Sequence, residues 1–457
     1  MANGAGYDVL IIGGGQAGIP LAYGLAAEGK RVALAERKNL GGSCVNFGCT
    51  PTKAAIASAK VAHQARRGPE YGVEIPEVRV DFPAVIRRAK SIAETSRSGI
   101  ESGFAGSENP GLIRGHAAFE GRDEAGFRVR VGDRTVLARE VVLNTGTRTL
   151  VPPIAGLDEV DYIDAGNWLD HTELPGHVAI VGGGVIGLEM SQFYRRMGSR
   201  VTLIAGSAGR VAPQEDEEVS EAIQDILEGE GIEFRHNTRA EKVEKSGGGI
   251  KLTLGGDNPA ELEASHLFIA TGRMPNTDDL GLENVGLEPT RKGVVEADAR
   301  LRTAVEGVWV GGDIRGGPQF THTSYDDNRV LLSQMTGDGS HTTERIVPYA
   351  IFTDPELGRV GMTEREAREA GYEVEAMTYE VANNGKAAEI GETQGFIKVV
   401  ADATNGRILG AAVLAAEGAE LVHAYIDLMN AGAPLDVLRD AVHIHPTLGE
   451  AVQSAVS

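Results

Sequence analysis

Apolar and polar positions along this chain fall into blocks, and one block order occurs twice. Residues 8–36 open with the apolar run Val9-Leu10-Ile11-Ile12, pass through glycines and a mixed stretch, and close on Val32-Ala33-Leu34-Ala35 before Glu36. Short apolar runs bounded by glycine predict buried strands, and the mixed stretch between them predicts an amphipathic helix. Residues 177–205 repeat the order: at an offset of 169, Gly13, Gly15, Gly18, Gly29, Arg31 and Val32 fall on Gly182, Gly184, Gly187, Gly198, Arg200 and Val201. The chain therefore carries one βαβ unit twice, which is a duplication and not a short-period solenoid.

A second pair of apolar runs supports the duplication, because VVLNTG ends at Gly146 and LFIATG ends at Gly272, each entering a Thr-Gly turn. Pro152-Pro153 and Pro175-Gly176 bracket the entry to the second unit. Residues 278–302 read as loop, followed by a strand in GVWVGGD at 307–313. From about Pro348 the pattern changes to strands at 395–401 and 408–414 and an apolar helix from Ala419 to Gly432. The expected partition is a first nucleotide domain over 1–148, a second over 149–273, a return segment to the first over 274–343, and an α+β interface domain over 344–457.

Composition narrows the partners. The chain has 457 residues, 61 of them glycine, and a net charge of −21, so its overall field repels nucleic acid and anionic lipid surfaces. The N-terminal stretch has no basic region and its apolar run is short, so neither a signal peptide nor a membrane helix is expected, and the protein reads as cytoplasmic. Cys44 and Cys49 are the two cysteines. A close pair in a cytosolic chain points to redox chemistry or to half a metal site. No further Cys or His stands at ligand spacing, so no metal is expected there.

Gly13-x-Gly15-x-x-Gly18 and Gly182-x-Gly184-x-x-Gly187 each join a strand to a helix. The three glycines allow the tight turn, the approach of a pyrophosphate to backbone, and close helix packing, while the helix N-terminus supplies N–H groups for the phosphates. Glu36 closes the first unit where a carboxylate accepts from ribose hydroxyls. The second unit has Ala205 at that position, which removes any repulsion of a 2′-phosphate and tilts the expectation from NADH towards NADPH. Ser207 and Arg210 could hold such a phosphate or belong to a solvated polar loop. Two dinucleotide sites suggest a flavin and a nicotinamide. The fold class expected is α/β, with two Rossmann-like three-layer domains and a C-terminal α+β dimerisation domain.

The segment Gly41-Gly-Ser-Cys44-Val-Asn-Phe-Gly-Cys49-Thr-Pro-Thr-Lys53 follows the first βαβ unit. Exchange chemistry needs an accessible sulfur to attack and a protected one to resolve. With the two fingerprints, Ala270–Asn276 (ATGRMPN), Gly312-Asp313 and His445-Pro-Thr-Leu-Gly-Glu450, this segment makes the whole chain resemble the class I pyridine nucleotide–disulfide oxidoreductases. Glutathione reductase, dihydrolipoamide dehydrogenase and mercuric reductase are members of that family.

The resemblance implies FAD in the first site, with Glu36 on its adenosine ribose, Asp313 on its ribityl chain, and Thr145, Gly146 and Thr321 beside it. Gly272 goes with the nicotinamide nucleotide. Cys49 would be the sulfur against the flavin and Cys44 the interchange thiol facing substrate. Lys53 and Glu189 would form the ion pair beside the flavin ring. His445, held by Glu450, would act as acid and base on the partner subunit's dithiol, which implies a homodimer with composite active sites; His443 reads as structural.

The expected activity is reversible electron transfer from NAD(P)H through FAD and Cys49–Cys44 to a small thiol or disulfide, as in dihydrolipoamide dehydrogenases. The segment 316–329 is closer to mercuric reductase-like and reactive-chlorine-resistance flavoproteins, so reduction of Hg(II), Cu(II) or an oxidant is the alternative. The chain ends Ala451–Ser457 without a thiol, unlike typical mercuric reductases. A non-catalytic redox-sensing flavoprotein is the third reading. His322 could tune the flavin or be a surface residue.

Overall fold

The repeats determine the architecture. The structure, a computed structural model, describes residues 6–206 and 209–457. The first repeat forms Tyr7–Ile12 (β1), Gly18–Ala27 (α1) and Val32–Glu36 (β2). Gly42–Asn46 (α2), Cys49–Arg66 (α3) and Phe82–Ala105 (α4) follow. Gly111–Arg114 (β3), Ala117–Asp123 (β4), Gly126–Val131 (β5) and Arg134–Leu143 (β6) complete the sheet in the order β3-β2-β1-β6-β5-β4. Its β3-β2-β1-β6 part is parallel. Alternate residues of β1 point to opposite faces, as the period of two requires. Val9 and Ile11 join Leu21 and Leu25 of α1, whereas Leu10 and Ile12 join Phe119 and Phe127.

Thr147–Thr149 (β7) leads out of this sheet. The second sheet contains Ile163–Asp164 (β8), His177–Val181 (β9), Arg200–Gly206 (β10), Glu233–His236 (β11), Thr238–Ser246 (β12), Gly249–Gly256 (β13), Ala260–Ala264 (β14) and His266–Ile269 (β15). Val185–Met197 (α5) and Glu217–Gly229 (α6) cover one face. Val178 and Ile180 meet Leu188, Phe193 and Ile223 on that side, and Ala179 and Val181 meet Val243 and Leu252 on the other. The packing of the first unit is thus repeated. Arg273–Pro275 (β16) pairs antiparallel with β7, so the expected boundaries at 148 and 273 fall within one two-stranded ribbon.

Val308–Val310 (β17) returns to the first sheet beside β6, and Thr321–Thr336 (α7) packs on α1. A third sheet takes Pro348–Ile351 (β18), Glu356–Gly361 (β19), Val374–Glu380 (β20), Phe396–Asp402 (β21) and Ile408–Ala415 (β22) in the antiparallel order β18-β19-β22-β21-β20. Every residue of β21 and β22 is buried. Even Lys398 is buried, its ammonium 3.1 Å from Asp216 and 2.7 Å from Glu364. The helix expected over 419–432 is two helices, Gly418–Leu421 and His423–Asn430. Bonding changes from Val422 N–H to Gly418 O to the shorter reach of Tyr425 N–H to Val422 O. That break accompanies full burial of Tyr425, whose hydroxyl donates to Val452 O at 2.8 Å. Among the described residues no helix is long and apolar enough to cross a membrane.

One side chain ties the first unit to its return segment. Asn144, at the end of β6, accepts from Gly18 N–H at 3.0 Å and donates to Gly311 O at 2.9 Å. Asn144→Ala leaves both buried backbone groups unpaired and is expected to cost about 1–3 kcal/mol in urea unfolding; an unchanged midpoint and slope would contradict this role.

Candidate active site

The first fingerprint is shaped by backbone crossing backbone. Gly13 has φ +108°, and a Cβ there would stand 2.2 Å from Asn144 O; Gly182 has φ +122° and would meet Ala270 O at the same 2.2 Å. The strand that follows each unit therefore crosses its glycine turn at the same place, and only glycine permits the crossing. Gly15 and Gly18 flank the Asn144 amide, while Gly187 packs on Gly182 O. Gly184 stands in open space at the N-terminal end of α5, where a phosphate could approach.

Glu36 reaches the first turn, accepting from Gly14 N–H at 2.8 Å and Lys38 N–H at 2.7 Å. It lines a recess with Gly13, His116 and Thr145. The carboxylate keeps lone pairs for ribose hydroxyls, so this edge fits the adenosine end of FAD. Thr145 donates to Asn276 O at 2.8 Å, and Asn276 N–H returns to Gly146 O at 3.0 Å. Asp313 accepts from Ser324 at 3.1 Å and is 3.3 Å from the Arg273 guanidinium.

In the second unit Ala205, in β10, takes the place that Glu36 has at the end of β2, so that position carries no carboxylate. Ser207 lies outside the described residues. The Arg210 guanidinium donates to Pro213 O at 3.0 Å and Glu215 O at 3.3 Å, both in its own loop. Gly272 has φ +122° and its carbonyl accepts from Leu150 N–H in the ribbon.

The cysteine segment docks directly on the first fingerprint, since Gly41 N–H donates to Gly14 O and Gln16 donates to Gly41 O. The four-residue spacer makes a turn that closes with Gly48 N–H on Ser43 O at 2.7 Å. Cys44 thereby lies in α2 and Cys49 opens α3, with Cys44 donating to the Cys49 sulfur. Both sulfurs are free thiols. That hydrogen bond from Cys44 is the main cause that lowers Cys49 to about 6; burial opposes it, and the Thr321 hydroxyl and the Lys53 charge add to it. Cys44 is pushed up by donating to Cys49, by burial and by its neighbour's charge. Thr321, first residue of α7, stands 3.2 Å from the Cys49 sulfur.

Lys53, one turn along α3, reaches both oxygens of Glu189 on α5, at 2.9 and 2.7 Å. The contact is bidentate, with Glu189 5% exposed and the Lys53 side chain 32% exposed. Cys44, Cys49, Lys53, Glu189 and Thr321 thus form one cluster between the two nucleotide units.

His445 and Glu450 form a separate pair, with Nδ1 at 3.0 and 3.1 Å from the two carboxylate oxygens. Among the described residues no hydrogen bond or ion pair joins them to the dithiol. The His445 side chain is 77% exposed, and Val442 and Ile444 beside it are 97% and 78% exposed. Thr447 N–H, then His445, hold the Glu450 carboxyl below its usual range. His443 accepts or donates at Gln453 within 2.8 Å, and His322 bonds Pro348 O at 2.7 Å while stacking on Phe320.

Two features differ from expectation. Cys49 is the more exposed residue of the two and Cys44 is half-buried, whereas the resemblance implies Cys44 as the thiol facing substrate. The sequence reading also passed over Arg273, which donates to Thr147 at 2.5 Å and reaches Ser43 at 3.4 Å as well as Asp313. Its signal was present in ATGRMPN, but a motif arginine gives no hint of which segments it joins.

Comparison with known proteins agrees with this construction. The sequence profile described as pyridine nucleotide-disulphide oxidoreductase matches residues 7–327, and that of the family's dimerisation domain matches 347–456. The chain is 33% identical to RclA of Escherichia coli strain K12 over 456 residues, covering 99% of each. It is 34% identical to the mercuric reductase of Streptomyces lividans, covering 98% of this chain and 95% of that one. The dihydrolipoyl dehydrogenase of Halobacterium salinarum is 32% identical with the same coverage. The solved Cu(II) complex of the HOCl-induced flavoprotein disulfide reductase RclA from Escherichia coli superposes with a TM-score of 0.89 over 99% of both chains, at 33% identity.

In the reduced protein, thiolate ultraviolet absorbance is expected to rise by one equivalent with a midpoint near pH 6, with Cys44 remaining protonated well above it. Thr321→Val removes a donor to the thiolate and is expected to raise that midpoint by roughly half to one unit; no shift would show that Thr321 does not act on Cys49.

Proposed function

Because the chain belongs to the pyridine nucleotide–disulphide oxidoreductase family, we propose that it passes electrons from NADPH to a small disulfide through Cys49 and Cys44, reversibly, as a homodimer. The observation that carries this reading is the Cys49 sulfur, favoured as thiolate by Cys44, Thr321 and Lys53 where the two nucleotide units meet. FAD, bound in the first site, would supply the redox chemistry that links the nicotinamide to sulfur. Gly13, Gly15, Gly18, Glu36, Thr145, Gly146 and Asp313 would hold it, with Thr321 and Lys53 towards the dithiol. Gly182, Gly184, Gly187 and Gly272 would hold the nicotinamide nucleotide.

Occupancy of the first site explains the exposure of the two sulfurs. Thr321, 3.2 Å from the Cys49 sulfur, would hold the group beside that residue and leave Cys44 as the sulfur that meets substrate. Cys44, as thiolate, attacks the substrate disulfide: one S–S bond breaks, a mixed disulfide forms on Cys44, and the first thiol leaves with a proton. Cys49 then attacks Cys44, restoring the Cys44–Cys49 disulfide and releasing the second thiol. His445 of the partner subunit, its tautomer fixed by Glu450, supplies the proton to the departing sulfur and takes one from Cys44. Exposed Val442 and Ile444 beside His445 support burial of that loop against a second subunit. Dihydrolipoamide is the preferred substrate class, as the names of several relatives suggest.

A second reading has its own support. Relatives named mercuric reductase, and RclA solved as a Cu(II) complex, favour reduction of a thiophilic metal ion held by the same dithiol. Excess small thiol would suppress a bare-metal activity and leave disulfide reduction intact.

Cys44→Ser is expected to abolish disulfide reduction while sparing NAD(P)H oxidation by an artificial acceptor, and His445→Gln to slow disulfide turnover about 10²- to 10⁴-fold; undiminished disulfide reduction in Cys44→Ser would rule the scheme out. With Ala205 in place of a carboxylate, kcat/KM for NADPH is expected to exceed that for NADH, and Ala205→Glu to reverse the order; a wild type that favours NADH would overturn the nucleotide assignment.

A further inference from the structure

The segment between β18 and β19 lies along one face of α5, and three side chains of that face bind its backbone and its acid. Glu189 accepts the Phe352 N–H at 3.0 Å; Gln192 accepts the Asp354 N–H at 2.8 Å and donates to Asp354 O at 2.9 Å; Arg196 donates to Asp354 Oδ2 at 2.6 Å. Spacings of three and four residues place 189, 192 and 196 on one side of a helix. Gln192, Arg196 and Asp354 are all buried, so this contact has little freedom. It leaves the Phe352 ring 4.5 Å, centroid to nitrogen, from the Lys53 ammonium. A cation over a ring face is held there by the ring quadrupole. The C-terminal unit therefore touches both members of the ion pair, the acid through a backbone N–H and the lysine through an aromatic face.

We propose that Phe352 is a positioning residue: its ring fixes the Lys53 ammonium within the ion pair that flanks the dithiol, so that the C-terminal unit takes part in the redox site. The inference rests on the function proposed above. Its physical basis is that a close ion pair carries no net charge and acts on a nearby sulfur as a dipole. Lys53 favours the Cys49 thiolate and Glu189 opposes it, so the net effect is a difference that small displacements of the ammonium change. The groups facing Cys49 are Cys44 from α2, Lys53 from α3, Glu189 from α5 and the Thr321 hydroxyl from α7. Phe352 acts on the sulfur through Lys53.

Phe352→Leu removes the aromatic face but keeps apolar bulk and the N–H that Glu189 accepts, whereas Phe352→Tyr keeps the face. The readout is the thiolate–flavin charge-transfer absorbance of the two-electron-reduced holoenzyme, generated anaerobically with dithionite and titrated against pH. Phe352→Leu is expected to raise the midpoint by about half a pH unit, a roughly threefold weaker preference for the thiolate, with Phe352→Tyr superimposing on wild type. Phe352→Met, which also lacks a π face, makes the same comparison if the Leu variant does not accumulate as folded holoenzyme. A normal wild-type band with an unshifted Leu or Met variant, or a Tyr variant shifted as far as Leu, overturns the role of Phe352 alone. A wild type without any charge-transfer band overturns the proposed function and this inference with it.

Discussion

The ion pair between Lys53 and Glu189 is the contact on which the site depends. Glu189 is withdrawn from water at a cost of several kcal/mol of hydration, and the close, bidentate contact with the part-exposed Lys53 offsets it. The structure supplies that geometry from two different units, Lys53 from α3 beside the first fingerprint and Glu189 from α5 just after the second. Lys53 cannot move away without leaving the buried Glu189 carboxylate unpaired. The pair thus joins the two nucleotide units at the height of the dithiol, and its acid is joined in turn to the C-terminal sheet through Phe352 N–H.

Around that contact the chain arranges sulfur so that the two thiols differ. Cys49 opens α3, receives hydrogen bonds from Cys44 and Thr321, and has a lysine nearby; Cys44 donates, and is held protonated by doing so. A symmetric dithiol would have no preferred direction for exchange. The asymmetry comes from the hydrogen bond that Cys44 donates, the Thr321 hydroxyl of α7 and the Lys53 charge, with the cysteine segment itself placed by its docking on the first glycine turn. The same turn, repeated at Gly182, sets the second unit, and the β7–β16 ribbon holds the two in register.

Much of this was legible in the sequence because it follows from local rules. Glycine spacing announces a backbone crossing wherever it occurs, and an apolar run that flanks it can only be a buried strand, so both repeats and the cysteine turn were readable. The features that were not legible depend on which segments meet. Arg273 joins Asp313, Thr147 and Ser43, and Asn144 joins Gly18 to Gly311, across separations of 40 to 230 residues that no local pattern encodes. Lys398 in an otherwise apolar strand reads as a solvent-facing position, yet three acids from other elements bury it. The apolar stretch after Glu417 has no proline or glycine at the point where it breaks, and its split follows from the burial of Tyr425. Accessibility of the two sulfurs likewise belongs to the assembled cleft and not to their spacing.

The central claim is that electrons leave the protein from Cys44 while Cys49 remains the inward thiolate, and trapping of a mixed disulfide tests it most directly. Holoenzyme carrying Cys49→Ser lacks the resolving sulfur, so reaction with an aromatic disulfide should leave a stable adduct on the peptide containing Cys44, about one per chain, detected by mass spectrometry. Holoenzyme carrying Cys44→Ser should remain unlabelled under the same conditions. An adduct on Cys49 in the latter, with Cys44 unlabelled in the former, would contradict the account by reversing the two sulfurs.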